Sequence, residues 1–210
     1  MKVAVAGACS RSGKTALAVT LLGALRNPAA LKFTTTDDVF ERCPRGAPCV
    51  VCGIDVPYRI VEDPAVLAQP GTDTDRLARA GARRVVWAIA KRGSAPGAWR
   101  AVEARLAGEP GPLVIEGSSV VDLARPDLLL FVVHPFLSPA RWKPGSGELM
   151  RRADAVIVNR PSEESREPSP DVMAAVATYR SIEEVRIADV TRAIEEWAPD
   201  LARRLHGDRD

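Results

Sequence analysis

The stretch that decides the fold is residues 3–15, which read VAVAGACSRSGKT. Its first four residues are small and apolar, as in a short buried strand, and Gly7 follows them where the chain has to turn. After Thr15 the leucines repeat at helical spacing, at positions 17, 21, 22 and 25. A strand, a glycine-containing turn that ends in Gly-Lys-Thr, and a helix occur in this order in the phosphate-binding loop, or P-loop. The stretch therefore predicts a P-loop.

Each residue type in this turn suits the binding of a nucleoside triphosphate. Backbone N–H groups of the turn would point at the α- and β-phosphates, helped by the positive end of the following helix. Lys14 would reach the β- and γ-phosphates, and the Thr15 hydroxyl would hold Mg²⁺. Ala8 takes the place of the first glycine of the strict pattern. The predicted residues that bind ATP or GTP are Cys9, Ser10, Arg11, Ser12, Gly13, Lys14 and Thr15.

Strand and helix patterns alternate along the rest of the chain. Several strands are continuously apolar, as in a parallel sheet that is covered on both faces. We expect a doubly wound, mostly parallel α/β fold in a single P-loop NTPase domain over residues 1–210, with a Cys-containing insertion around residues 41–62. The predicted strands are 2–6, 30–33, 84–89, 113–116, 128–133, 155–159 and 184–187, with a β-hairpin at 56–61. The predicted helices are 13–26, 74–80, 99–107, 147–153, 172–179 and 189–205, the last with a kink at Pro199.

Composition and charge exclude some classes of partner. The net charge is +2 and acids and bases are interspersed, so the chain lacks the basic footprint of a nucleic-acid-binding protein. The apolar run at the amino terminus is too short for a signal peptide, and residues 128–133 are too few to span a bilayer. We expect a cytoplasmic protein that binds neither nucleic acid nor membrane.

Three of the four cysteines fall close together, at Cys43, Cys49 and Cys52. In a cytoplasmic chain such clustering favours metal or redox chemistry over disulfides. The Cys-x-x-Cys end suits half of a zinc site, and the spacing is one residue longer than that of a plant-type iron–sulfur loop. A fourth ligand would be Cys9, a histidine or a residue of a second subunit. Zinc, an iron–sulfur cluster and unligated thiols therefore stay open as alternatives.

Acidic residues near predicted strand ends supply the carboxylates that phosphoryl transfer requires. Glu116 ends an apolar strand, where a Walker-B-type residue would hold Mg²⁺, and with Lys14 it is a candidate catalytic residue. Asp37 and Asp38 follow the second strand, where they could orient a water or accept a proton from a hydroxyl. A helix cap is an equally natural role for them. Asp73 could cap a helix or approach the nucleotide.

Three segments together resemble the molybdopterin-guanine dinucleotide biosynthesis protein B family of P-loop GTPases. Residues 6–15 are similar to that family's phosphate loop. Residues 70–76 (PGTDTDR) with 80–82 (AGA) resemble its Pro-Gly-Lys-Asp-Ser…Arg…Ala-Gly-Ala segment, and residues 114–117 (VIEG) resemble its Val-Glu-Gly segment. The resemblance covers residues 1–120. It implies that Lys14, Thr15, Asp73 and Glu116 occupy nucleotide and Mg²⁺ positions.

Three function classes follow. The resemblance implies an NTPase that couples nucleotide hydrolysis to the maturation of a cofactor or metal centre, acting as a homodimer or on a client metalloenzyme. Asp37 and Asp38 instead suggest a small-molecule kinase. The third class is a non-catalytic module that responds to nucleotide or metal. Asn159 follows a strand as the base-reading asparagine of many GTPases does, but Arg160 replaces the lysine of that motif, so the choice between ATP and GTP is open.

Overall fold

An eight-stranded sheet forms the centre of the computed structural model, which describes residues 1–36 and 54–207. The strand order is β3-β4-β2-β5-β1-β6-β7-β8. All neighbours are parallel except β3, which runs antiparallel to β4. The strands are β1 (Lys2–Gly7), β2 (Ala29–Thr36), β3 (Tyr58–Val61), β4 (Arg84–Lys91), β5 (Leu113–Glu116), β6 (Leu128–Val133), β7 (Ala155–Asn159) and β8 (Val185–Ala188).

Helices cover both faces of the sheet and bury one apolar core on each side. One core joins α1, α2, α3, α8 and α9 to the sheet, and the other joins α4, α5, α6 and α7. This arrangement confirms the predicted α/β class and the mostly parallel sheet. The helices are α1 (Lys14–Ala24), α2 (Pro64–Leu67), α3 (Asp73–Arg79), α4 (Ala95–Leu106), α5 (Val121–Ala124), α6 (Ser146–Arg152), α7 (Pro170–Ala177), α8 (Ile194–Trp197) and α9 (Pro199–His206).

The central strand β1 lies between β5 and β6. This pairing determines where the predicted site residues lie. Val5 stands opposite Glu116 of β5, and Gly7 stands opposite Val132 of β6. Because parallel strands all end at one edge of the sheet, the turn after β1 and the carboxylate that ends β5 meet there. Lys32 of β2 stands opposite Glu116 on its other side.

Two predicted elements at the carboxyl edge and the sheet margin differ from the structure. Strand β2 continues beyond the predicted 30–33 to Thr36, because its three threonines pair with β4 along their length and β-branched residues suit a strand. The predicted hairpin at 56–61 is wrong. Only Tyr58–Val61 is a strand, and its partner is the distant β4.

The predicted helix over 189–205 is also wrong as a single element. It begins only at Ile194 and breaks at Ala198, whose φ of −149° and ψ of 65° are not helical. The residue before a proline is pushed out of the helical region, and Pro199 then opens α9. Asp189 accepts the N–H groups of Ser162 and Thr191, so it closes a loop. Four apolar residues that recur along this segment, Val190, Ile194, Leu201 and Leu205, are nevertheless buried in the core on this face of the sheet.

Within the described ranges, every helix is too short or too polar to be a candidate for crossing a membrane.

Replacing the buried ring of Phe131 tests the core around β6. Phe131 is fully buried, so Phe131→Ala should lower the free energy of unfolding by about 3–5 kcal/mol through lost burial and a cavity. Ile187→Ala is the control on the edge strand β8, where the side chain is 42% exposed, and it should cost less than about 1 kcal/mol. Urea unfolding of both variants checks the difference. Equal costs would contradict this packing.

Candidate functional site

A cleft of about 1180 Å³ opens at the carboxyl edge of the sheet. Its walls come from the turn between β1 and α1 (residues 8–13, here the β1–α1 turn), the ends of β2 and β5, and the start of α3. The loop before α6 supplies a further wall through Lys143 and Pro144. The cleft therefore gathers residues that are distant in sequence around the β1–α1 turn.

The β1–α1 turn is held in a tight, fixed conformation. The Lys14 ammonium donates to the carbonyl of Cys9 at 2.7 Å and to the Ser12 hydroxyl at 3.3 Å. Gly13, which begins α1, has a left-handed φ of 105°. A Cβ on Gly7 would stand 2.5 Å from Ser12 Oγ and 2.9 Å from the carbonyl oxygen of Val132. Glycine is required at position 13 because of the left-handed φ, and at position 7 because of the close approach.

Asn159, at the end of β7, ties the turn to the carboxy-terminal segment. Its side-chain amide donates to the carbonyl of Ser12, and its amide oxygen accepts the N–H of Val190, both at 3.3 Å. The same amide fills the space that a Cβ on Gly13 would need. Asn159 thus positions the start of α1 from the opposite half of the sheet.

Below the turn, four side chains form a charged cluster around the buried Glu116. Thr15 Oγ1 donates to Glu116 Oε1 at 3.0 Å. The Lys32 ammonium bridges Glu116 Oε1 at 2.5 Å and Asp73 Oδ2 at 2.7 Å. Glu116 is only 2% exposed, and among the described residues its second oxygen, Oε2, has no hydrogen-bond partner. A buried carboxylate oxygen without a partner is costly, so Oε2 is a ready acceptor for a water or a ligand to a cation.

The charges of this cluster stabilise one another. Burial alone would lower the pKa of Lys32, but the carboxylates of Glu116 and Asp73 outweigh it and raise that pKa. Burial likewise opposes ionisation of Asp73, yet the Lys32 ammonium beside it holds the pKa of the carboxyl below its usual value. Lys32 and Asp73 are therefore both charged at neutral pH.

The surroundings of Lys14 lower its pKa, whereas those of Lys32 raise the pKa of that residue. Burial, followed by the charge of Lys143 and then that of Lys32, lowers its pKa to about 8, although Glu116 acts against this. Lysines that repel one another in a cleft are stabilised by an anion. The end of the cleft near Lys14 therefore favours a negatively charged ligand.

The structure brings together most of the predicted site residues that it describes. Ser10, Arg11, Gly13, Lys14, Thr15, Asp73 and Glu116 all line the cleft. Ser12 is fully buried under the turn and Cys9 is 3% exposed. Burial raises the pKa of the Cys9 thiol. Asp37, Asp38, Cys43, Cys49 and Cys52 lie outside the described residues. Among those described, no group of three or more His, Cys, Asp or Glu side chains is arranged to hold a metal ion.

Sequence reasoning missed Lys32 and Lys143. Lys32 lies within a run that is otherwise apolar, AALKF, and a lone charge in a buried strand is a usable signal. The chain also contains only five lysines among its 29 Lys and Arg residues. Three of these lysines line this cleft, although the sequence gives no indication that Lys143 approaches the other two.

Comparisons of the chain with known protein families, curated proteins and solved structures found no match.

The contact between Gly13 and Asn159 predicts a specific loss of stability. Gly13→Ala should destabilise the fold by about 1–3 kcal/mol, since it forces a side chain into a left-handed backbone and against the Asn159 amide. Gly71→Ala is the matched control, because Gly71 has a similar φ of 81° but open space around it. Gly13→Ala should lower the stability more than Gly71→Ala does. Adding Asn159→Ala to the Gly13→Ala protein should recover part of that extra loss. Thermal unfolding measures all three effects, and an equal cost for both glycines would refute the close approach.

The lowered pKa of Lys14 predicts how stability changes with pH. Between pH 8 and the unfolded-state pKa of about 10.4, the unfolded chain holds more protons on this group than the folded one. The unliganded protein should therefore gain stability from Lys14 as the pH rises through this range. Lys14→Met should lack this gain, so the difference in unfolding free energy between the two proteins should shift in favour of the unsubstituted protein above pH 8. A difference that stays constant from pH 7 to 10 would contradict the assignment.

Proposed function

We propose that this protein binds a nucleoside triphosphate with Mg²⁺ at the β1–α1 turn and hydrolyses it. One observation carries the proposal: the Thr15 hydroxyl and the buried Glu116 carboxylate meet at 3.0 Å directly below a Gly-Lys-Thr turn, with Glu116 Oε2 unpartnered among the described residues. A hydroxyl and a carboxylate in this relation form the Mg²⁺ position of P-loop NTPases. The β1–α1 turn is then a P-loop.

In this function each group has a definite task. Backbone N–H groups of the turn and the Lys14 ammonium bind the β- and γ-phosphates. The Lys14 ammonium has three N–H donors and uses two of them on Cys9 and Ser12, so one is left for a phosphate oxygen. Thr15 holds Mg²⁺ directly and Glu116 holds it directly or through water. The ion itself neutralises the charge that builds up on the phosphates.

Lys32 supports this chemistry from the second strand. Its ammonium contacts both Glu116 and Asp73, so it supplies a positive partner to each carboxyl group and fixes the direction of both. Replacement of Lys32 would leave Glu116 charged and buried without its cation, which is strongly destabilising. We propose that Lys32 positions Glu116 in the active site.

The nucleotide is ATP or GTP. Asn159 contacts the turn, as expected for a residue near a bound base, and both nucleotides suit the phosphate site. The coupling of hydrolysis to cofactor or metal-centre maturation, with a homodimer or a client metalloenzyme as partner, remains a proposal from the resemblance. A zinc ion or an iron–sulfur cluster at Cys43, Cys49 and Cys52 belongs to the same proposal. Residues 37–53 are outside the described part of the chain.

A small-molecule kinase is the second candidate, and the extent of the cleft favours it. Past Lys32 the cleft continues over the ends of β2 and β4, where Thr34, Gln69 and Trp87 line it. The Trp87 indole N–H donates to the Thr34 hydroxyl at 3.0 Å, which fixes the ring beside the charged cluster. Phosphate release without an acceptor would favour the hydrolase, and a rate that requires a hydroxyl-bearing acceptor would favour the kinase. Tight nucleotide binding without turnover would favour the non-catalytic module.

Two threonines on the same helix give a matched test of the proposed Mg²⁺ site. Thr15→Val removes the hydroxyl beside Glu116 and should lower kcat by about 100-fold, because a metal contact supplies several kcal/mol to the transition state. Thr20→Val is the control, since the Thr20 hydroxyl bonds the carbonyl of Val190 at 2.6 Å and faces away from the cleft. Its turnover should stay within about twofold of the unsubstituted protein, because it touches none of the groups that contact substrate.

The assay follows phosphate release from ATP and from GTP, with and without Mg²⁺. Activity that needs Mg²⁺ and is lost in Thr15→Val alone supports the proposal. If the unsubstituted protein binds neither nucleotide, the proposed function is wrong. If Thr15→Val keeps full Mg²⁺-dependent turnover, the ion lies elsewhere.

A further inference from the structure

Lys143 is a cleft-lining cation to which the function proposed above assigns no role. It precedes α6, in the loop that follows β6, and its side chain lines the same cleft as Lys14 and Lys32. In the described part of the chain its ammonium has neither a carboxylate partner nor a side-chain hydrogen bond. A lysine held in this way is available to a ligand.

The backbone around Lys143 is fastened to the β1–α1 turn. The Lys143 N–H donates to the carbonyl of Ala8 at 2.7 Å. The buried Ser146 hydroxyl lies within bonding distance of two carbonyl oxygens, that of Lys143 at 2.7 Å and that of Ala8 at 3.3 Å. The loop is therefore tied to the first residue of the turn, and the position of Lys143 is set by the turn itself.

Lys143 and Lys32 approach the cleft from opposite faces of the sheet. Lys32 belongs to the face covered by α1 and α3, through its contacts with Glu116 and Asp73. Lys143 leads into α6, which packs in the core on the other face. The charge of Lys143 also lowers the pKa of Lys14, and the charges of Lys32 and Glu116 act on Lys143. The three lysines therefore converge on the end of the cleft that contains Glu116.

The charges in the cleft leave a definite need for an anion. Lys32 contacts two carboxylates, Glu116 and Asp73. These three side chains together carry a net negative charge, which a bound divalent cation would reverse. Among the described residues, no carboxylate makes an ion pair with the ammonium of Lys14 or Lys143, although the charge of Glu116 acts on both from farther away. A ligand with one more phosphate group would bring one more pair of negative oxygens to these two cations, and lysine binds phosphate as a point charge.

We propose that Lys143 binds the terminal phosphate of the nucleotide, on the side of the β1–α1 turn opposite Lys32, and so makes the site select a triphosphate over a diphosphate. This inference rests on the proposed nucleotide binding. Lys14 and Lys143, which line the same cleft, would then both donate to that phosphate. Lys143 is thus a binding residue that lies in the loop before α6, outside the Gly-Lys-Thr motif.

The test compares nucleotide affinities in Lys143→Met, Lys143→Arg and the unsubstituted protein. Isothermal titration with Mg²⁺ and ATP, ADP, GTP or GDP gives each affinity. Loss of one charged hydrogen bond should weaken triphosphate binding by about 10- to 100-fold and diphosphate binding by less than about threefold. Lys143→Arg keeps the charge and should recover part of the triphosphate affinity. Lys2→Met is the control, because Lys2 lies at the amino end of β1 and bonds the carbonyl of Ala124.

The outcomes separate this inference from the proposed function. A triphosphate-to-diphosphate ratio that falls in Lys143→Met and stays constant in Lys2→Met supports the role of Lys143. An unchanged ratio in a Lys143→Met protein that still binds nucleotide overturns it and leaves the proposed function intact. Equal weakening of both nucleotides also overturns it, since Lys143 would then act on the inner phosphates or on the fold. If the unsubstituted protein binds no nucleotide, both proposals are wrong.

Discussion

The burial of Glu116 at the end of a central strand is the constraint on which the site depends. The Glu116 side chain is 2% exposed and needs its ion-pair partner, because breaking a buried ion pair costs about 3–5 kcal/mol. Lys32 supplies the counter-charge from the neighbouring strand, and Asp73 in turn holds Lys32 from the start of α3. Thr15 adds a hydrogen bond from α1. The partners of one carboxylate thus fix how two strands and two helices meet at the carboxyl edge.

This cluster adjoins two hydrophobic cores, and its composition limits what it can do. It contains two acids, one base and a hydroxyl, with one carboxylate oxygen still available to a further partner. Such a set would suit a hard cation bound through oxygen and would leave the adjoining lysines to an anion. The proposed Mg²⁺ and triphosphate satisfy both requirements with one ligand.

The sequence predicts the parts of this molecule that depend on local pattern. Continuous apolar runs identify the central strands, and the Gly-Lys-Thr turn identifies where α1 begins. Glu116 can be selected because it ends an apolar strand. The pairing of Glu116 with Lys32 depends on β2 lying beside β5, and the sequence offers several strand orders that would separate them. What the sequence does not reveal here is therefore the order of the strands in the sheet.

The other differences between prediction and structure come either from the strand order or from the local effect of a single residue. The periodicity of residues 189–205 indicates an apolar stripe correctly, yet the backbone breaks at Ala198 because a proline follows it. Tyr58–Val61 pairs with a strand that begins more than twenty residues later, and the pattern within 56–61 contains no sign of that partner. Lys143, in the loop before α6, and Asn159, at the end of β7, contact the β1–α1 turn from far along the chain, and only the assembled sheet brings them close to it.

The depressed pKa of Lys14 has a consequence for the heat of binding. Near pH 8 a fraction of the folded molecules holds this amine in its neutral form, and any anion that contacts it favours the charged form. Binding should then draw protons from the buffer, so that the observed enthalpy includes the buffer's own heat of ionisation. The affinity should also decline as the solution becomes more alkaline, even though the ligand's phosphates gain no further charge. The molecule would behave as a weak proton-coupled receptor, with the coupling located in a single side chain.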